Sequence, residues 1–213
     1  MTIPSQLVTT RRRNGLALTL IVLMAGTSLQ LSSHGVQAAG ATPVQTRVTA
    51  GLLSLYNFNE GAGSTVRDVS GVGTPVDLSI AAPSATDWQP GGLDVVSPTL
   101  ISSPAPATKI TQAVRMTEQL TVEAWVTPAS TLQGGPARVV AMSGGATGIN
   151  VALDQGRQAG LPSSAFISRM RSTVTTNVGS TMGSGKVATT TPMHLVYTRE
   201  PYGTQRLLSL IHI

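Results

Sequence analysis

A chain of 213 residues with 41% apolar, 11% charged and 3% aromatic residues is long enough for one large domain and carries less than half the usual share of charge. It contains no cysteine, which excludes disulfides and thiolate metal centres. The formal charge of +5 is no nucleic-acid footprint: Arg11, Arg12 and Arg13 supply three of the fourteen basic residues, the other eleven face nine acids, and no basic cluster lies beside aromatics.

The first element in chain order is "RRR" at 11–13, followed by the apolar run "GLALTLIVLMAG" at 15–26 and by "VQAAG". A basic region, an apolar helical segment and small residues at Val36 and Ala38 predict a signal peptide over 1–38, cut after Ala38. The competing reading, an uncleaved anchor, needs a longer span than this run offers, since a bilayer takes about 20 apolar residues. The mature chain is therefore expected to be secreted or held in the cell envelope, touching the membrane only transiently.

Residues 39–50 read as a flexible lead-in. "LLSLYNF" at 52–58 alternates, with Leu52, Ser54, Tyr56 and Phe58 on one side. Glycine-rich turns follow at 59–65 and 70–75, and "VDLSI" at 76–80 alternates again. A loop rich in Pro, Ser and Ala over 81–92 holds Trp88, and "ATKITQAVRM" at 107–116 has room for a helical turn or two. "LTVEAWVTP" at 120–128 is the best strand: Leu120, Val122, Ala124 and Val126 form one face, while Thr121, Glu123, Trp125 and Thr127 form the other. Further strands are predicted at 137–142, 149–153, 164–170 and 193–198. Many short β-branched runs separated by Gly, Pro, Asn or Ser predict an all-β sandwich.

Three motifs occur in order along this stretch. "GLLSLYNFNEGAGSTVRDVSGVG" resembles the opening of laminin G-like domains in the concanavalin A-like lectin/glucanase superfamily, with Tyr56, Phe58, Glu60, Gly61, Gly63, Asp68, Ser70 and Gly71 at the positions that carry the likeness. "LTVEAWVTP" is similar to that family's strand reading apolar-Thr-apolar-Glu-Ala-Trp-apolar. "MHLVYTREPYGTQRL" is similar to its His-apolar-apolar strand and the hairpin that follows. The resemblance implies an antiparallel jelly-roll β-sandwich over 51–207. Tyr56 and Phe58 would then pack between the sheets, each contributing ~1.5–3 kcal/mol on burial. The family pattern continues with an Asp/Asn-Gly turn after the "RL" pair. Here "LSLIHI" stands instead, so 208–213 is read as a non-native tail and the sandwich as incomplete.

Chemistry is harder to find. Glycoside hydrolysis needs two carboxyl groups about 5–10 Å apart. The hydrolases of the superfamily carry acids at alternate strand positions, whereas Glu123 has Thr121 and Trp125 as its same-face neighbours. There is no cysteine nucleophile and no G-x-S-x-G, and "GSGK" at 183–186 lacks the rest of a phosphate loop. His194 has no partner pattern around it and reads as structural or surface-placed. The family resemblance suggests calcium, with loop oxygens of Asp68, Asn59, Glu60 and Asp154 as candidate ligands. Against this, Asp68 also reads as a cap of its own turn. Trp125, Glu123 and Trp88 are the candidate ligand contacts, as aromatic platforms with a carboxylate for sugar hydroxyls, and Trp125 also reads as a buried structural residue. The chain is thus expected to be a non-catalytic binding or adhesion module for a glycan or an extracellular protein surface. A structural spacer is the alternative, and a glycoside hydrolase the third reading.

Overall fold

A computed structural model describes residues 4–9, 18–23, 49–144 and 148–211. Two strands, β1 (Pro4–Thr9) and β2 (Leu18–Leu23), precede the alternating segment, which forms β3 (Leu52–Tyr56). Four short strands follow: β4 (Thr65–Val66), β5 (Leu78–Ile80), β6 (Thr86–Gln89) and β7 (Gly92–Val95). Then come β8 (Thr99–Pro106), the helix α1 (Thr108–Thr117), β9 (Leu120–Val126), β10 (Ala137–Ser143) and β11 (Ile149–Gln155). The order closes with β12 (Ala165–Met170), β13 (Ser180–Val187), β14 (Met193–Arg199) and β15 (Gln205–Ile211).

All of these strands pair antiparallel. One sheet runs β13-β12-β11-β10-β1-β8-β5-β4, a second β15-β14-β9-β2-β3, and β6 and β7 make a separate hairpin. The two large sheets face each other across one core. Tyr56, Val122, Ala124, Leu195 and Tyr197 come from the five-stranded sheet, and Ile101, Val140, Leu153, Phe166 and Met170 from the other. The all-β antiparallel sandwich predicted from the sequence is therefore the observed architecture.

Strand β9 shows why alternation was informative: its residues alternate buried and half-buried from end to end. Tyr56 and Phe58 are 3% and 0% exposed, in the core as expected. Phe58 lies past the end of β3 with φ of 50°, so it reaches the core from a left-handed turn and not from the strand. Gly61 and Gly63, at φ of 71° and 92°, occupy backbone that L side chains rarely adopt.

The N-terminal strands correct one expectation. Over Leu18–Leu23 the apolar run expected to be helical is a strand, between β9 and β3. Its Thr19, Ile21 and Val22 are β-branched, and neighbours on both edges supply backbone partners that a helix would not need. The basic triplet, the cut after Ala38 and most of the lead-in lie outside the described residues.

At the other end, Leu208–Ile211 completes β15, pairing along β14 so that Ser209 lies across from Leu195. This register is inverted relative to the core. Ser209 is 5% exposed, whereas Leu208 and Leu210 are 50% and 44% exposed. The Ser209 hydroxyl is buried without a hydrogen-bond partner. Ser209→Val is therefore expected to raise stability by about 1 kcal/mol, by removing an unsatisfied polar group and adding apolar burial. A urea titration checks it, and a lower midpoint would mean that the hydroxyl is doing more than filling space.

Candidate functional site

The register of the five-stranded sheet assembles a cluster on its outward face. Glu123 and Trp125 project from β9 away from the core, being half-buried between fully buried neighbours. Strand β14 pairs with β9 so that His194 lies across from Trp125. The two rings stack with centroids 4.1 Å apart and planes 9° from parallel. His194 Nε2 and Glu123 Oε1 are 2.5 Å apart, which holds the imidazole over the indole. The ring is 9% exposed, and its Nδ1 is buried without a partner. Trp125 also packs against Leu52 and Leu55.

The geometry brings Trp125 and Glu123 together as the sequence suggested, and it adds His194, which sequence reasoning left unpartnered. No local pattern could have revealed this, because the pairing depends on the β9–β14 register. One face of the indole is occupied by His194, so Trp125 is not an open platform. Trp125→Ala is expected to cost about 2 kcal/mol, below the 3–5 kcal/mol typical of a fully buried aromatic, because the residue is only half-buried. Thermal unfolding with calorimetry checks this.

Trp88 sits elsewhere, and not in a loop. It is in β6, paired with Leu93 of β7 across a tight Pro90–Gly91 turn. Its indole Nε1 donates to the carbonyl of Gly63 at 3.0 Å, and its half-buried ring leans on the core. The ring forms one wall of an open cleft whose other walls are Gly61–Ser64, Pro83, Thr86 and Asp87. The hairpin also opposes Asp87 and Asp94 directly. Burial, and then the charge of Asp87, push the Asp94 carboxyl above its usual range. Sequence reasoning missed this carboxylate pair, although "QPGG" between two short alternating runs is a hairpin signal.

The oxygens suggested for calcium are not gathered into a site. Asp68 accepts from the backbone amides of Leu55 and Ser70 through Oδ1, and from Ser54 Oγ, the Val76 amide and Lys109 Nζ through Oδ2. A cation placed there would meet the Lys109 ammonium, 2.6 Å from Oδ2. Glu60 Oε1 accepts from the Arg67 amide. Asn59 lies beside Gly91. Asp154 is not a loop residue: it lies in β11, fully buried, with Oδ2 bonded to Arg169 Nε at 2.7 Å. Among the described residues no three His, Asp or Glu side chains are placed to hold a metal ion. Asp68 and Asp154 each already pair with a cation of the chain itself.

No protein-family model matches the chain, and neither a curated protein nor a solved structure matches it.

Proposed function

We propose that this chain is a secreted or envelope-held, non-catalytic binding module that takes a glycan in the cleft beside Trp88. The observation that carries the reading is the cleft itself: one aromatic wall, the backbone of Gly61–Ser64, and the polar groups of Ser64, Thr86 and Asp87 along its lining. Sugar sites combine an apolar ring with a few well-placed polar groups in this way. The three sequence motifs and the antiparallel sandwich support a laminin G-like jelly roll as the frame. The Trp125–His194–Glu123 cluster braces the second sheet from outside, with the two rings stacked and Glu123 bonded to the imidazole.

A glycan array probed with the full chain tests the reading. Trp88→Ala and Asp87→Asn are each expected to weaken binding by roughly tenfold or more, as truncation of a central contact does. Trp125→Ala is expected to leave it unchanged, and chelation of calcium is expected to have no effect. Binding to no glycan, with or without calcium, points to a structural spacer. Release of reducing sugar from a β-glucan would return the hydrolase reading through the Asp87–Asp94 pair.

A further inference from the structure

The cleft beside Trp88 has a sign as well as a shape. Among the described residues that line it, Asp87 is the one ionisable side chain, and none is Lys, Arg or His. Asp87 is exposed, and Asp94 stands directly across the hairpin from it. Opposed strand residues hold their Cβ atoms about 5 Å apart, where two like charges destabilise a sheet. The charge of Asp87 already reaches its neighbour: burial first, and Asp87 second, raise the Asp94 carboxyl above its usual range. Elsewhere the chain pairs its acids internally, Asp68 with Lys109, Asp154 with Arg169 and Glu200 with Arg206. Among the described residues neither Asp87 nor Asp94 has a cation of that kind.

We infer that the sugar taken in this cleft is an amino sugar with its amine free, as in a β-1,4-linked glucosamine chain, in preference to neutral and acidic sugars. This inference rests on the glycan reading of the cleft and adds the charge of the ligand. A protonated amine gains twice there, from a charge-assisted bond to Asp87 and from the negative face of the Trp88 ring. The ring is fixed before any ligand arrives, because its Nε1 donates to the Gly63 carbonyl. Thr86 donates its hydroxyl proton to the Pro83 carbonyl, which leaves the exposed Ser64 to meet the hydroxyls of the same sugar. N-acetylation would remove the positive charge. A uronate or a sulfate would bring a negative charge to a cleft that holds a carboxylate and no cation. The indole wall and the small residues Gly61, Ala62 and Gly63 suit a flat pyranose ring, which a lysine stem does not offer.

Calorimetric titration of the full chain with four tetrasaccharides tests this: β-1,4-linked glucosamine, its N-acetylated form, cellotetraose and a galacturonic acid oligomer. The glucosamine chain is expected to bind roughly tenfold more tightly than any other, as one hydrogen bond to a charged group allows. Asp87→Asn is expected to abolish that advantage without lowering the urea midpoint, since Asp87 is exposed and faces a like charge. Equal affinity for the free and acetylated oligomers, tighter binding of the galacturonic acid oligomer, or an advantage that survives Asp87→Asn overturns the inference and leaves the glycan reading standing. A lysine tetrapeptide that binds as tightly as the glucosamine chain overturns the sugar and points to a protein ligand. Absence of binding to all four tetrasaccharides overturns the inference as well, and absence of binding across the whole glycan array removes the glycan reading beneath it.

Discussion

Replacing Arg169 with Met should destabilise the protein by about 3–5 kcal/mol, and adding Asp154→Leu should recover most of that loss. The reasoning starts from burial. Asp154 is 0% exposed and Arg169 4%, on adjacent strands β11 and β12, joined by one bond of 2.7 Å. Both groups are under-served: Asp154 Oδ1 and Arg169 Nη2 are buried without hydrogen-bond partners. Two charges withdrawn from water in this way gain less from each other than from solvent, so an apolar pair of similar volume is a fair exchange. Losing only the cation is another matter, because the carboxylate stays behind, with Arg138 on β10 as the remaining nearby positive charge.

The pH dependence separates these cases. Burial raises the Asp154 carboxyl above its ordinary range, and the Arg169 bond and the charges of Arg169 and Arg138 offset this only in part. A folded-state pKa above the unfolded value means that the fold favours the protonated acid. The contribution is fully present below the unfolded pKa of about 3.9 and is lost as pH rises through the folded one. In Arg169→Met that loss should be larger, so urea unfolding at pH 4 and pH 7 should show a wider gap than in the unaltered protein. Single-variant costs that simply add in the double variant would show that the two groups do not act as a pair.

How much of this could be read from the sequence depended on whether a strand has one wet face. Strands β9 and β14 were legible because one side of each faces the core and the other does not. Strand β12 was found from its apolar content, but all six of its residues are buried, so no period-2 pattern could mark its outer side. Leu161 covers that side, and a side chain at Gly183 on β13 would come within 2.9 Å of it. Strand β8 was missed because "TLISSPAP" carries two prolines, which argue against a strand unless their amides face no partner. Asp154 was misplaced because "ALDQG" reads as the approach to a turn. What makes it a core residue is an arginine fifteen positions later on the next strand, and only the register connects them. The contact between His194 and Glu123 fails to announce itself for the same reason.

Replacing Asp68 with Ala should cost about 3–5 kcal/mol, through the loss of a buried, fully bonded carboxylate and the stranding of its donors. Its carboxylate ties three separate pieces of chain together. Leu55 and Ser54 belong to β3, Ser70 and Val76 to the glycine-rich loop, and Lys109 to the first turn of α1. The helix has no side-chain cap at its start; Ile110 is buried and Ala113 and Val114 pack against the core, so the Lys109 bond adds a polar tie to these apolar contacts. Burial by itself would raise the Asp68 pKa, but the Lys109 bond and the Val76 and Ser70 bonds outweigh burial and hold the carboxyl at about 2. A folded-state pKa below the unfolded value means that the contribution is present above about pH 4 and is lost as pH falls through about 2. Over that window it amounts to about 2 kcal/mol. Asp68→Asn keeps the shape and removes the charge, so its stability should be lower at pH 5 and nearly flat from pH 4 to 2, apart from what the other acids contribute. Lys109→Met should move the same acid transition to higher pH while leaving the four uncharged donors in place. An Asp68→Asn chain that loses as much stability between pH 4 and 2 as the unaltered one would show that the acid transition belongs to another carboxylate.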